Sequence, residues 1–287
     1  MFSFSLISAI HFSTLSESLS QILSQRPGMA LMKKEIREMA SFLDLTTLEG
    51  SDHREKIRLL CRKACSLNEK GLPYPAAVCV YSPFVATAKQ ALLGTPIRTA
   101  TVSAAFPSGQ QPLSLKMEEL RYILQQGADE IDIVISRGTF LEMDYTTVHH
   151  ELVSMRALTL GKTLKVILET GELQSPENIA KASELALDAG ADFLKTSTGK
   201  ITPGATEQAV FTMLLMIREH YRKTGKKVGI KAAGGISELE TALNYYWLVK
   251  EVLGEEWLTP DLFRIGASRL ADRIIDFVST SNTAGND

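Results

Sequence analysis

The sequence predicts an α/β chain folded as one (β/α)₈ barrel over residues 33–280, preceded by a short N-terminal extension over residues 1–32. Three observations carry this. From residue 40 onward, strand-like apolar runs alternate with helix-like runs eight times in roughly 240 residues, the number and size of such a barrel. The first run ends in Asp44-Leu45-Thr46-Thr47, unlike the glycine-rich loop that follows the first strand of many open doubly wound sheets. The order strand, lysine, loop then occurs twice, ending at Lys195-Thr196-Ser197-Thr198-Gly199 and at Lys231-Ala232-Ala233-Gly234-Gly235.

The elements follow in order. Met39 to Thr46 is the first strand, and Ser51 and Asp52 begin a helix whose apolar stripe is Ile57, Leu59, Leu60 and Ala64. Ala76 to Tyr81 is the second strand, with a helix from Ser82-Pro83 to Leu93. Arg98 to Ser103 is the third, then a Pro107-Ser108-Gly109 loop and a helix from Lys116 to Gln126. Glu130 to Ile135 precedes a helix from Thr146 to Leu160, and Leu164 to Glu169 precedes one from Pro176 to Ala189. The sixth strand ends at Lys195, before a helix from Thr206 to Lys223. Lys227 to Ala232 is the seventh, before a helix starting near Ser237. Leu262 to Ala267 is the eighth, before Arg269 to Phe277.

Composition narrows the function classes. With 45% hydrophobic residues, 22% charged and a formal net charge of −2, the chain lacks the basic footprint of a nucleic-acid or membrane-surface binder. Cys61, Cys65 and Cys79 form no disulfide framework, so a reducing, cytoplasmic setting is expected. Phe4 to Phe12 is apolar, but no Lys or Arg precedes it, as a signal peptide requires. Residues 1–32 are therefore expected to be poorly ordered, or an amphipathic addition, or to precede a working start at Met29 or Met32. Residues 281–287 are expected to fray.

Side chains alternate along a strand, so the residues facing the barrel axis can be read directly. Ile131, Ile133 and Ile135 share one face of the fourth strand, leaving Glu130, Asp132 and Val134 inward. The same parity points Lys165, Ile167 and Glu169, Phe193 and Lys195, and Gly229 and Lys231 toward the axis. An axis lined by Asp132, Lys165, Lys195 and Lys231 is a charged site, not an apolar core. Neighbouring strands lie about 4.8 Å apart, so the ends of strands six and seven can bring two ammonium groups close. Each then penalises protonation of the other, and a lysine lowered from about 10.4 to roughly 7–8 becomes a working nucleophile at neutral pH. Asp132 can balance charge and relay protons. A lysine at a strand end is more commonly just solvated surface; two on adjacent strands with an inward aspartate argue against that. Spacing alone does not say which lysine attacks.

Gly234-Gly235 and Gly266-Ala267-Ser268 each precede a helix in the loops after strands seven and eight, where barrels commonly hold phosphate. Gly199-Lys200 can close a third side, with Lys200 as a phosphate contact.

With these residues in hand, the chain resembles the Schiff-base-forming deoxyribose-phosphate aldolase family over residues 40–278. The resemblance rests on Leu43-Asp44-Leu45-Thr46-Thr47-Leu48, Val78-Cys79-Val80-Tyr81, Gly127 to Asp132 and Lys165 to Leu173. Its most specific parts are Asp192 to Lys200 and Lys231 to Gly235. It implies that Lys195 forms the imine, that Lys231 lowers its pKa, and that Asp132 is the acid/base partner. Lys165, Asp44, Cys79 and Thr198 would support them, Cys79 most simply as a small wall. Gly199, Lys200, Gly234, Gly235, Gly266 and Ser268 match the phosphate positions. The implied reaction is reversible cleavage of 2-deoxy-D-ribose 5-phosphate to D-glyceraldehyde 3-phosphate and acetaldehyde. No metal or cofactor is expected, and His149-His150 falls in a helix-like stretch. A homodimer is implied.

The chain departs from the family pattern at Ala232, where proline is common, at Ser237, where arginine is, and at Arg269, where Ser or Thr is. It also lacks the C-terminal tyrosine that some members use in proton transfer. These departures bear on phosphate affinity and enamine protonation, not on imine formation. Two other readings compete: an imine-forming aldolase or transaldolase for a different phosphosugar, and a non-catalytic phosphosugar-binding barrel.

Overall fold

The computed structural model describes residues 2–283. Eight strands form a closed barrel: β1 (Leu43–Thr46), β2 (Ala77–Val80), β3 (Arg98–Ser103), β4 (Glu130–Val134), β5 (Thr163–Ile167), β6 (Phe193–Lys195), β7 (Gly229–Ala233) and β8 (Phe263–Ala267). Each pairs in parallel with the next, and β8 returns to β1 through Leu43 opposite Ile265 and Asp44 opposite Gly266. The main helices of the outer ring are Arg54–Glu69, Val85–Ala91, Leu113–Gln125, Tyr145–Leu158, Pro176–Asp188, Glu207–Thr224, Leu239–Leu253 and Leu270–Thr283. This is the expected (β/α)₈ barrel.

Strand parity sorts the core into two environments. Leu45, Val80, Ile131, Ile133, Val166, Leu194, Ile230 and Ile265 join one large cluster with helix residues such as Ile57, Ile123, Leu185, Leu214 and Leu248. Burying each side chain of this kind contributes about 1.5–3 kcal/mol. A separate small cluster holds Leu48, Ala77, Cys79, Ala100 and Val102, with Tyr81 and Phe106 packed on it. Those strand residues line the inside of β2 and β3, so the interior is apolar on that side. Gly229 makes room for its register partner on β6: a Cβ there would lie 2.4 Å from the Phe193 ring.

Boundaries differ from expectation at two places with a physical reason. Met39–Phe42 is apolar because it is a buried 3-10 turn leading into β1, not part of the strand. β5 stops at Ile167 because Glu169 adopts φ +57°, a left-handed conformation that ends the extended ladder.

The N-terminal segment, expected to be poorly ordered or an amphipathic addition, packs against the helical ring in the manner of the second. Residues 15–24 form a helix, and Leu6, Ile10 and Leu15 are buried. The backbone N–H groups of Ser5, Leu6 and Ile7 all donate to the carboxylate of Glu184, at 2.9 Å for Leu6, and Trp247 Nε1 donates to the Ile22 carbonyl at 3.0 Å. The apolar run thus serves packing against the helical ring. Of the expected tail, 281–283 continue the last helix, and 284–287 lie outside the described residues. Among the described residues no helix is long and apolar enough to cross a membrane.

Candidate active site

β5, β6 and β7 each deliver one charged side chain to the axis, and β4 delivers two, Glu130 and Asp132. Register sets Lys195 directly beside Lys231, and Asp132 beside Lys165. Asp132 is the hub: Oδ1 accepts from Lys165 Nζ at 2.8 Å, while Oδ2 accepts from Lys195 Nζ at 2.7 Å and from Lys231 Nζ at 2.8 Å. Asp44, inward on β1, accepts from Lys231 at 2.5 Å. Gly266 leaves space for that lysine, since a Cβ there would come within 3.1 Å of Lys231 Cε.

Below them lies a layer built on Arg264, a residue that none of the motifs singles out. It is fully buried on β8, donates to Asp44 Oδ1 at 2.6 Å, grips Glu130 through both terminal nitrogens at 3.1 and 2.7 Å, and covers the Phe193 ring. Glu130 also meets Lys165 at 2.6 Å. One signal could have revealed Arg264: it stands between Phe263 and Ile265, so the parity that turns those two outward turns it inward.

The axis therefore holds four buried cations, Lys165, Lys195, Lys231 and Arg264, and three buried carboxylates, Asp44, Glu130 and Asp132. Unpaired buried charge is costly, so the arrangement favours discharging one cation. The electrostatics select Lys195. Burial and then the Lys231 cation depress it below the ordinary lysine value of 10.5, and Asp132 offsets only part of this. Lys231 suffers the same burial, but Asp132 and Asp44 outweigh it and raise its pKa. The repulsion acts on both lysines, as expected, but only at Lys231 do carboxylates outweigh it. Lys231 stays cationic because it bonds a second carboxylate.

Burial works against ionised Asp132, but Lys165, Lys195 and Lys231 overcome it and hold the carboxyl well below its usual range. Asp132→Asn should therefore lower stability by about 3–5 kcal/mol, because three buried cations lose their shared counterion. Urea unfolding at neutral pH checks this; an unchanged midpoint would mean that the lysines do not depend on the aspartate.

Cys79 lies in the small apolar cluster of β2 and β3 and not in the cavity lining, and burial raises its thiol pKa. Thr198 bonds the buried Glu169 through both N–H and hydroxyl. Lys195, Lys231, Thr198, Gly199, Lys200, Gly234, Gly235, Gly266 and Ser268 all line one cavity of about 160 Å³. Lys200 spans part of it to reach Glu49 Oε1 at 3.1 Å, so its ammonium is already paired. Arg269 lines the cavity too and has no ion pair among the described residues. The arrangement can hold an anion beside glycine backbone and the start of the last helix, within the same space as the Lys195 amine.

The DeoC/LacD family aldolase model matches residues 38–245. The deoxyribose-phosphate aldolase of Mus musculus is 45% identical over 247 residues, covering 82% of this chain and 77% of that protein. The Homo sapiens deoxyribose-phosphate aldolase is 44% identical over 247 residues, with 82% and 77% covered. Among solved structures, a tetrameric deoxyribose phosphate aldolase from Aeropyrum pernix superposes with a TM-score of 0.68 at 24% identity, over 91% of this chain and 97% of that one, a likeness of fold.

Proposed function

The chain belongs to the DeoC/LacD aldolase family, and from that premise we propose that it cleaves 2-deoxy-D-ribose 5-phosphate reversibly to D-glyceraldehyde 3-phosphate and acetaldehyde through an imine on Lys195. The observation that carries the assignment of roles is the divergence of two lysines sharing one carboxylate oxygen. Lys195 is the one disposed to lose its proton, and Lys231 the one that keeps it.

The uncharged Lys195 amine attacks the C1 aldehyde, and loss of water leaves a protonated imine. That imine withdraws electrons, so removal of the C3 hydroxyl proton breaks the C2–C3 bond. Glyceraldehyde 3-phosphate departs, the enamine takes a proton at C2, and water releases acetaldehyde from Lys195. Asp132 bonds both ammonium groups, which suits it, with water, to pass protons between the reacting atoms and Lys231. Lys165, Asp44, Glu130 and Arg264 hold Asp132 and Lys231 in place. The phosphate end would sit against Gly199, Gly234, Gly235, Gly266 and Ser268, with Arg269 supplying the unpaired cation and Lys200 joining by leaving Glu49. Cys79 and its neighbours would form the apolar wall. The reaction belongs to deoxyribose phosphate catabolism; three cysteines without a disulfide fit a cytoplasmic setting. A homodimer is the assembly we expect, read by light scattering.

Acetaldehyde with borohydride tests the imine. A reduced two-carbon adduct should appear on Lys195 by peptide mass spectrometry. Its yield should climb with pH through a midpoint below 10.5, because lowering the pKa frees the amine earlier in the titration. An adduct on Lys231, or a midpoint at or above 10.5, would reverse the two roles.

A further inference from the structure

Glu169 is fully buried two residues beyond β5, yet it bonds none of the axial lysines and has no place in the imine chemistry. Its backbone sits at φ +57°, ψ 60°, unfavourable for a residue with a side chain and tolerated only where surrounding contacts hold it. Those contacts are specific. Its two oxygens accept from the Thr198 N–H at 3.2 and 3.3 Å, from the Thr198 hydroxyl, and from Arg137 Nη1 at 2.9 Å.

Arg137 carries the connection further. Its Nε meets Glu172 at 2.9 Å and its Nη2 donates to the Ser108 carbonyl at 3.1 Å. One ion pair therefore fastens the loops that follow β3, β4, β5 and β6 at the face of the barrel that carries the cavity. At its far end, the Thr198 oxygen accepts from the Lys200 N–H at 3.1 Å, closing the turn through Gly199, which has φ +78°. Thr198, Gly199 and Lys200 are cavity wall; Glu169 and Arg137 are not.

We propose that Glu169, held by Arg137, is a positioning residue for the phosphate end of the substrate: it shapes the Thr198–Lys200 turn without touching the ligand. The inference rests on the aldolase reading with the phosphate placed at this turn. A carboxylate is required because three donors, the Thr198 N–H, the Thr198 hydroxyl and Arg137, converge on two accepting oxygens. Glutamine offers one, and its NH₂ would face a donor. The turn then loses a fixed partner while Lys195, Lys231 and Asp132 keep theirs.

Cleavage of 2-deoxyribose 5-phosphate and of unphosphorylated 2-deoxyribose by Glu169→Gln separates this role from a general structural one. KM for the phosphorylated sugar should rise about tenfold, the loss of one hydrogen bond to a charged group. Its kcat, and kcat/KM for 2-deoxyribose, should stay within about twofold, since the chemistry is unaltered. Arg137→Gln should shift the same KM in the same direction, because it removes the cation that holds Glu169 against the turn. Arg137→Gln leaves the Glu169–Thr198 bonds in place and lies outside the cavity wall, so it carries the test if Glu169→Gln does not fold. Equal losses on both sugars, or an unchanged KM for the phosphorylated one, would overturn the proposal. A wild-type protein that cleaves neither sugar would sink the aldolase reading instead. Calorimetry with inorganic phosphate would still report on the turn, with weaker binding expected in Glu169→Gln.

Discussion

Lys195→Met should remove cleavage of deoxyribose 5-phosphate almost completely, by on the order of 10⁶-fold, the smaller end of the acceleration enzymes provide. The side chain keeps a similar reach and loses the amine, so no imine can form and the electron sink disappears with it. The protein should nevertheless fold. Asp132 keeps Lys165 at 2.8 Å and Lys231 at 2.8 Å, and the axis then carries three cations against three carboxylates. Steady-state cleavage alongside a thermal melt checks both halves. Retained activity in a folded Lys195→Met protein would place the nucleophile elsewhere.

Lys231→Leu should slow cleavage at neutral pH by about 10²–10⁴-fold, the range for losing a group that controls proton transfer. Two effects act in the same direction. The repulsion that depresses Lys195 vanishes, and the remaining three cations are balanced only while Lys195 stays protonated. The folded pKa of Lys195 therefore rises toward or past 10.5, and borohydride trapping of acetaldehyde should shift its midpoint to higher pH. Asp44 is not stranded, because Arg264 Nη1 still donates to it at 2.6 Å. Neutral-pH turnover equal to wild type, or an unmoved trapping profile, would show that Lys231 does not control the proton on Lys195.

Much of this site is legible in the sequence because β-strand alternation is a local rule. Asp132 lies between Ile131 and Ile133, and Lys195 follows Leu194; wherever the outward face is apolar, the neighbours must turn to the axis. The loops after β6, β7 and β8 were legible for a similar reason, since glycine before a helix marks where backbone can approach an anion. The N-terminal segment was not legible. Its apolar residues carry no label saying that Glu184, on a helix more than 170 positions away, would accept its N–H groups. The early end of β5 at Ile167 was hidden likewise, because Glu169 takes its left-handed backbone only when Arg137 and Thr198 grip the side chain.

By itself the sequence determined the barrel, the inward set Asp132, Lys165, Lys195 and Lys231, and the family to which they belong. The tertiary structure adds the different electrostatic surroundings of the two lysines, on which the proposal that Lys195 gives up its proton rests. That choice depends on Asp44, which barrel closure between β1 and β8 brings to Lys231 at 2.5 Å and to Arg264 at 2.6 Å. Alternation along a strand is a property of neighbouring residues, whereas a pKa sums every charge within a few ångströms, whatever its distance along the chain.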